Sequence, residues 1–555
     1  MFSIAILIGI YSYVVFAMGL LGLLYKPYII LLTIFYIGIV IYFNKQLINR
    51  KIIQYFEVLK KYSTNSVLFV FLSIIGLQTA VNLIGSLGPE LGFDALWYHL
   101  TIPKLYLENH SVFYIPGGLL YYSLMPKLTE MLYVGALALN GEILAKLTHF
   151  AFGLLSSIVL YKLSRNFFTP KISLIAVVVF YSNLVVAWQS TTAYVDLART
   201  FFEIMALWGF IKFVVNKDTP YRRSILARHV WLIISAIMLG LAISTKLLAL
   251  GSLFILSILL IRILLMQGVS LKEILKKTFV YWGVSLLISL PWFVFSFVHT
   301  GNPIYPFFTD TYKIGFNIEL LNPIRFVREV WGMFIELSDP ISPMYIIFLP
   351  LVILFFLRHL RDSGQARMTI LKVIAIYSLL SIVVWYVTPR TGGGRFILPY
   401  LPFFSVLVAA IIENTKDKSI RMVLICVIII VSFTSILYRV AANVKYIPVV
   451  LGTETKNDFL SKNLNFSFYD FYDADGYFKK NIDPKDTILL YGFHNLYYVE
   501  FPFIDSSWVK KGDSFNYIAT QNTSLPTRFK DWELVYQNAK THVKLFSKGG
   551  IKWAY

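Results

Sequence analysis

Charge is scarce in this chain. Of 555 residues only 14% are Asp, Glu, Lys or Arg, while 57% are hydrophobic. A soluble domain carries about 25% charged residues, so a water-exposed surface over the whole chain is excluded. Cysteine is nearly absent: Cys426 stands alone inside an apolar run, which excludes a disulfide framework and a cysteine-based metal site. No internal repeat and no low-complexity stretch occurs, and the inverted halves common in secondary transporters are not evident. The first apolar run, Phe2 through Leu24, has neither a charged leader nor a small-residue cleavage pattern, so a retained span is expected rather than a removable signal. The net charge of +20 would suit nucleic acid. Lys and Arg fall mainly in short connectors between apolar runs, however, as in cytoplasmic loops of membrane proteins, and no nucleic-acid partner is expected.

What is abundant is apolar length. A helix needs about 20 apolar residues to cross the hydrocarbon core. Runs at 3–24, 27–43, 65–87, 141–161, 171–189, 193–215, 229–244, 247–267, 278–298, 342–357, 369–387, 396–413 and 420–438 predict about thirteen spans in a lipid bilayer. Basic residues fill every second connector: Lys45 to Lys61, Lys162 to Lys171, Lys217 to Arg228, Lys272 to Lys277, Arg358 to Lys372 and Lys416 to Arg421. The positive-inside rule then predicts a cell (cytoplasmic) membrane protein with its N-terminus cytoplasmic and its C-terminal domain extracytoplasmic. The long outer segments are 88–140, 299–341 and 439–555. In the last, strand-like runs at 487–491, 497–501, 515–520, 533–537 and 543–547 predict a small α/β domain. The expected organisation is 1–64, two spans and a basic loop; 65–438, a helical transmembrane module; and 439–555, the extracytoplasmic domain.

Candidate chemistry lies on the predicted outer side. Glu90 and Asp94 follow the span 65–87, where a carboxylate can meet both a lipid-borne group and a substrate from water. Their i,i+4 spacing would share a helix face, although Gly88, Pro89 and Gly92 argue against a regular helix there. They are catalytic candidates or solvated loop acids, and His99 is a base or a loop hydrogen-bonder. Asp196, Arg199 and Glu203 share one helix face. They form either an intramembrane functional site or a structural bridge with Arg199 held between the two acids. Lys246, in Ser244-Thr245-Lys246, snorkels or binds a lipid phosphate. Thr388-Pro389-Arg390-Thr391-Gly392-Gly393-Gly394-Arg395 places two guanidinium groups about three glycines. That suits an anionic group approached closely by backbone, or a tight turn.

Taken together, these motifs resemble the GT-C superfamily of polytopic glycosyltransferases that use polyprenyl-phosphate sugars. Phe93-Asp94-Ala95-Leu96-Trp97-Tyr98-His99-Leu100 resembles its first-loop motif. Tyr194-Val195-Asp196-Leu197-Ala198, Ser244-Thr245-Lys246, Pro291-Trp292, Gly301-Asn302-Pro303, Tyr305-Pro306 and Arg395-Phe396 with Leu398-Pro399 fall at similar places in the bacterial branch near protein O-mannosyltransferases and lipid A aminoarabinose transferases. The resemblance covers about 65–413. It implies a first outer loop with membrane-surface helices, here about 95–108 and 126–140, and a catalytic acid at Asp94. Two departures stand out: Glu90 lies four residues from Asp94 where many relatives carry a tight acidic pair, and two spans precede the catalytic loop's span.

The implied function is a cell-envelope enzyme moving a sugar from a polyprenyl-phosphate donor to an extracytoplasmic glycan, lipid or protein acceptor. Asp94 is the expected general base, with Glu90 and Asp196 as further catalytic candidates. Arg395, Arg390 and Lys246 would bind the donor phosphate, and His99, Arg199 and Tyr98 would position the reacting groups. No nucleotide is expected, and a divalent metal stays open. The alternatives are a transporter or flippase built on Asp196, Arg199 and Glu203, and a polysaccharide polymerase or ligase sharing the outer site.

Overall fold

The computed structural model describes residues 1–43, 66–215, 222–310, 318–335, 339–359, 366–388, 393–549 and 552–555. The protein is an integral membrane bundle of helices carrying a small C-terminal sheet domain. Its helices are α1 (Phe2–Leu20), α2 (Lys26–Phe43), α3 (Ser66–Leu87), α4 (Thr101–Glu108), α5 (Leu128–Ser164), α6 (Pro170–Tyr181), α7 (Leu184–Gln189) and α8 (Asp196–Val215). There follow α9 (Arg222–Thr245), α10 (Leu250–Met266), α11 (Leu271–Thr300), α12 (Pro323–Ile335), α13 (Met344–His359), α14 (Ala366–Val387), α15 (Leu401–Asn414) and α16 (Lys418–Asn443).

Nine helices among the described residues are long and apolar enough to cross a membrane, against about thirteen spans expected. The shortfall has local causes. The run 171–189 is two helices, because the Asn183 side chain accepts from the Val185 amide and caps α7 where α6 has ended. Helix α8 carries Asp196, Arg199, Glu203 and Lys212, too much charge for an apolar span. Its burial explains how it tolerates them: α5, α9 and the turn at 398–400 enclose nearly all of it. Helix α5 is broken at Asn140 (φ −152°) and Gly141 (φ +68°), which separates 128–139 from 142–164. Glycine takes that left-handed conformation without a Cβ clash. The runs 229–244 and 247–267, both among the nine, are separated by a 3₁₀ turn at Leu247–Ala249 after Lys246.

The C-terminal sheet has the order β2-β1-β4-β6-β5, with β1 (Ile488–Tyr491), β2 (Phe503–Asp505), β4 (Tyr517–Gln521), β5 (Glu533–Asn538) and β6 (Val543–Ser547). A separate pair joins β3 (Ser514–Phe515) to β7 (Trp553–Ala554). Strand β1 is parallel to β2 and β4, whereas β6 is antiparallel to β4 and β5. The strand expected at 497–501 does not form. Its backbone is engaged elsewhere: the Tyr497 amide donates to the Leu96 carbonyl, and the Lys104 ammonium takes the carbonyls of Tyr497 and Val499. Those contacts dock the domain on the loop after α3. Tyr498 Oη donates to the Glu90 carbonyl at 2.9 Å. Gly117 (φ +83°) meets Ser507 so closely that a Cβ would lie 2.0 Å from its carbonyl oxygen.

Candidate active site

The loop after α3 is fixed before it reaches Asp94. Lys146 of α5 is fully buried and donates to the carbonyls of Gly88 (2.7 Å) and Pro89 (2.9 Å). Glu90 is equally buried. Its Oε1 accepts from the amides of Leu91 (2.8 Å) and Gly92 (2.7 Å), and its Oε2 accepts from the Ala193 amide at 2.6 Å. Burial pushes the Glu90 carboxyl up, while Lys146 and the three amides pull it down. With both oxygens engaged by backbone, Glu90 staples the loop to the segment leading into α8. Glu90 and Asp94, whose convergence the sequence left open, take different partners on either side of Gly92.

Asp94 opens a single π-helical turn, Ala95–His99. Such turns recur at functional sites. Here the turn brings Tyr98 Oη to 3.1 Å from Asp94 Oδ2, and the Asp94 amide donates to Tyr194 Oη at 3.1 Å. The dominant contact comes from the far end of the chain. Arg395 Nη1 donates to Asp94 Oδ2 at 2.6 Å, with the two side chains 13% and 12% exposed. Arg395 sits in the 3₁₀ turn Gly394–Phe396, whose first residue must be glycine: a Cβ there would lie 2.5 Å from the Asp339 carbonyl oxygen. Asp339 Oδ2 accepts from the Gly393 amide at 3.1 Å and lies 4.0 Å from Arg395 Nε. Burial raises the Asp339 carboxyl and Arg395 opposes the rise.

A second ion pair adjoins the first. Lys246 Nζ bonds Asp196 Oδ1 at 2.7 Å, and the other Asp196 oxygen has no hydrogen-bond partner among the described residues. The Phe396 ring joins the pairs, lying 5.2 Å from Lys246 Nζ and 5.1 Å from the Arg395 guanidinium carbon. The expected grouping of Asp196 with Arg199 is corrected. Arg199 Nε bonds Glu203 Oε1 at 2.6 Å and its Nη2 reaches Tyr400 Oη at 3.1 Å; Ser252 and Tyr377 fill Glu203 Oε2. The i+4 acid takes the guanidinium, and Asp196 turns to Lys246 on the segment after α9.

His99 lies against the Tyr98 ring at 4.2 Å, and its Nδ1 bonds Glu130 Oε1 at 2.8 Å. It shares the aromatic wall but makes no bond to Asp94. Arg390 lies outside the described residues. The structure thus brings together Asp94, Tyr98 and Arg395, with Asp196 and Lys246 beside them. Sequence reasoning missed Asp339, the Tyr194 hydroxyl and the Phe396 ring, as well as His149, which accepts from the Leu197 amide at 3.0 Å. Asp339 had one usable signal, an acid directly before Pro340 in the second long outer segment. Among the described residues no three His, Cys, Asp or Glu side chains gather to hold a metal. Chemically, the arrangement offers a carboxylate able to take a proton, with a guanidinium and an ammonium able to hold an anion next to it.

Residues 133–302 match the family model described as dolichyl-phosphate-mannose-protein mannosyltransferase. The fold is similar to that of ArnT from Cupriavidus metallidurans. In its apo state that protein matches with a TM-score of 0.58 at 12% identity, over 88% of this chain and 98% of that one. Its form bound to undecaprenyl phosphate gives 0.53 at 13%, over 86% and 98%. No curated protein matches the chain in sequence.

Proposed function

We propose that this chain, a glycosyltransferase of the GT-C superfamily, transfers a sugar from a polyprenyl-phosphate carrier to an acceptor on the extracytoplasmic face. The N-terminus then lies in the cytoplasm and the sheet domain outside. One observation carries the mechanism: the 2.6 Å contact between Asp94 and Arg395 puts the carboxylate that accepts from Tyr98 directly against a half-buried guanidinium. In the reaction, the acceptor hydroxyl oxygen attacks the anomeric carbon. The bond from that carbon to the phosphate oxygen breaks, and the polyprenyl phosphate leaves with the electron pair. The hydroxyl proton goes to Asp94.

Charge grows on the leaving phosphate, so cations already in place lower the barrier most. Arg395 and Lys246 fill that role, the first as a fork and the second as a point charge. In the ligand-free protein Asp94 and Asp196 occupy these cations, and the donor phosphate competes for them. Asp339 and Phe396 keep the guanidinium in place as the partner changes. The test is transfer from a synthetic polyprenyl-phosphate hexose by the purified chain. Loss of transfer in Asp94→Asn, with donor binding retained, is expected; transfer at the wild-type rate would overturn the base assignment.

A further inference from the structure

An aromatic path runs from the sheet domain to Asp94. It starts at Phe468, whose ring lies 5.1 Å from Phe93. Phe93 stacks on His494 at 5.0 Å, and His494 lies 4.3 Å from Trp97. From Trp97 the path passes to Tyr122 at 5.0 Å, which stacks on Tyr98 at 3.7 Å, and the Tyr98 hydroxyl reaches Asp94. The first loop and the C-terminal domain each supply part of it.

Its far end is held open to solvent. Phe468 and Tyr469 are 56% and 41% exposed, although exposing large rings brings no hydrophobic stabilisation. Their backbone is nevertheless braced and strained. Tyr469 has φ +68°, a left-handed conformation uncommon for a bulky residue. The Asn495 amide donates to the Tyr469 carbonyl at 3.3 Å, and its side chain donates to buried Asp470 at 2.6 Å. Strain that surrounding structure over-determines points to a functional constraint.

We propose that this shelf binds a pyranose ring of the acceptor, so that the acceptor is a carbohydrate. A pyranose has an apolar C–H face and a hydroxyl rim. The shelf matches it with electron-rich ring faces edged by tyrosine hydroxyls and the His494 imidazole. The inference rests on Asp94 as the base, since the hydroxyl it deprotonates must lie where the shelf ends. The C-terminal domain is then part of the acceptor site rather than a passive cap.

The test is calorimetric titration of the purified full chain, in a sugar-free detergent, with cellobiose, chitobiose and a Ser/Thr-containing hexapeptide. A disaccharide is expected to bind saturably, and Phe468→Ala or Tyr469→Ala to weaken it by about threefold to tenfold. Both side chains are exposed, so matched thermal unfolding will show these variants fold. No saturable disaccharide binding up to the solubility limit overturns the proposal. So does binding that both variants leave unchanged, or binding of the peptide alone. Lys246→Ala, a donor-side change that touches none of the shelf rings, is expected to leave disaccharide binding within about twofold. The shelf can thus stand if donor transfer fails, and fail if donor transfer stands.

Discussion

Two of the carboxylate–guanidinium pairs among the described residues, Arg199–Glu203 and Arg395–Asp94, are built to opposite ends. Arg199 and Glu203 are 1% and 0% exposed, and Tyr400, Ser252 and Tyr377 complete their hydrogen bonding. Arg395 and Asp94 are 13% and 12% exposed, and Arg395 Nε has no hydrogen-bond partner among the described residues. A saturated buried pair is stable because exchanging either partner would strand a charge in low dielectric. An incompletely satisfied, partly exposed pair can accept a substitute anion. Sequence spacing left Asp196, Arg199 and Glu203 open as a site or a structural bridge; it named Asp94 and Arg395 separately and could not pair them across 301 positions. The saturation of Glu203 also removes the basis for a transport site built on Asp196, Arg199 and Glu203.

The comparison can be broken by exchanging single partners. Asp94→Asn is expected to lower the transfer rate by about 10² to 10⁴-fold, with an unchanged unfolding midpoint in micelles. A large loss of stability instead would make this pair structural too. Glu203→Leu is expected to do the reverse. It strands Arg199 and costs about 3–5 kcal/mol of stability, read as a lowered thermal midpoint, and the double variant Arg199→Met/Glu203→Leu should recover most of it. If Glu203→Leu unfolds like the wild type, saturation is not what distinguishes the pairs.

Smaller changes sharpen the contrast. Arg395→Lys keeps the charge but loses the planar fork, so the KM for a polyprenyl-phosphate donor should rise about tenfold, a change of roughly 1.4 kcal/mol. Donor kinetics in steady state decide it. The smallest effect concerns Asp339, whose carboxyl is raised by burial. A raised folded value means its contribution to stability is fully present below the ordinary carboxylate pKa of about 3.9 and is lost as pH rises through the raised value. Asp339→Asn should flatten the unfolding midpoint against pH in that window; an unaltered profile would show that another group carries it.

Bilayer physics made the fold legible. Length and apolarity are read directly from composition, and the break of α5 at Asn140 and Gly141 falls where the run 126–140 gave way to the run 141–161. The helical turns 95–99 and 101–108 likewise coincide with the expected surface helix 95–108. Residue types in the site were legible for the same reason, since Asp94, Tyr98, Lys246 and Arg395 stand out in an apolar chain. Pairing was not. Local spacing predicts contacts within one helix, and the contacts that shape this site join segments far apart in sequence: Glu90 to Ala193, Lys246 to Asp196, Arg395 to Asp94. The strand expected at 497–501 failed similarly, because a side chain of α4 claimed two of its carbonyls.

The seam between Gly117 and Ser507 has a consequence for biosynthesis. All the charges around Asp94 are encoded before α16 ends, yet Phe468 and His494, which finish the aromatic wall, come afterwards. A ribosome that has released α16 has therefore still not delivered these two rings. The sheet domain must fold and settle against a loop made long before, with no room at position 117 for so much as a methyl group.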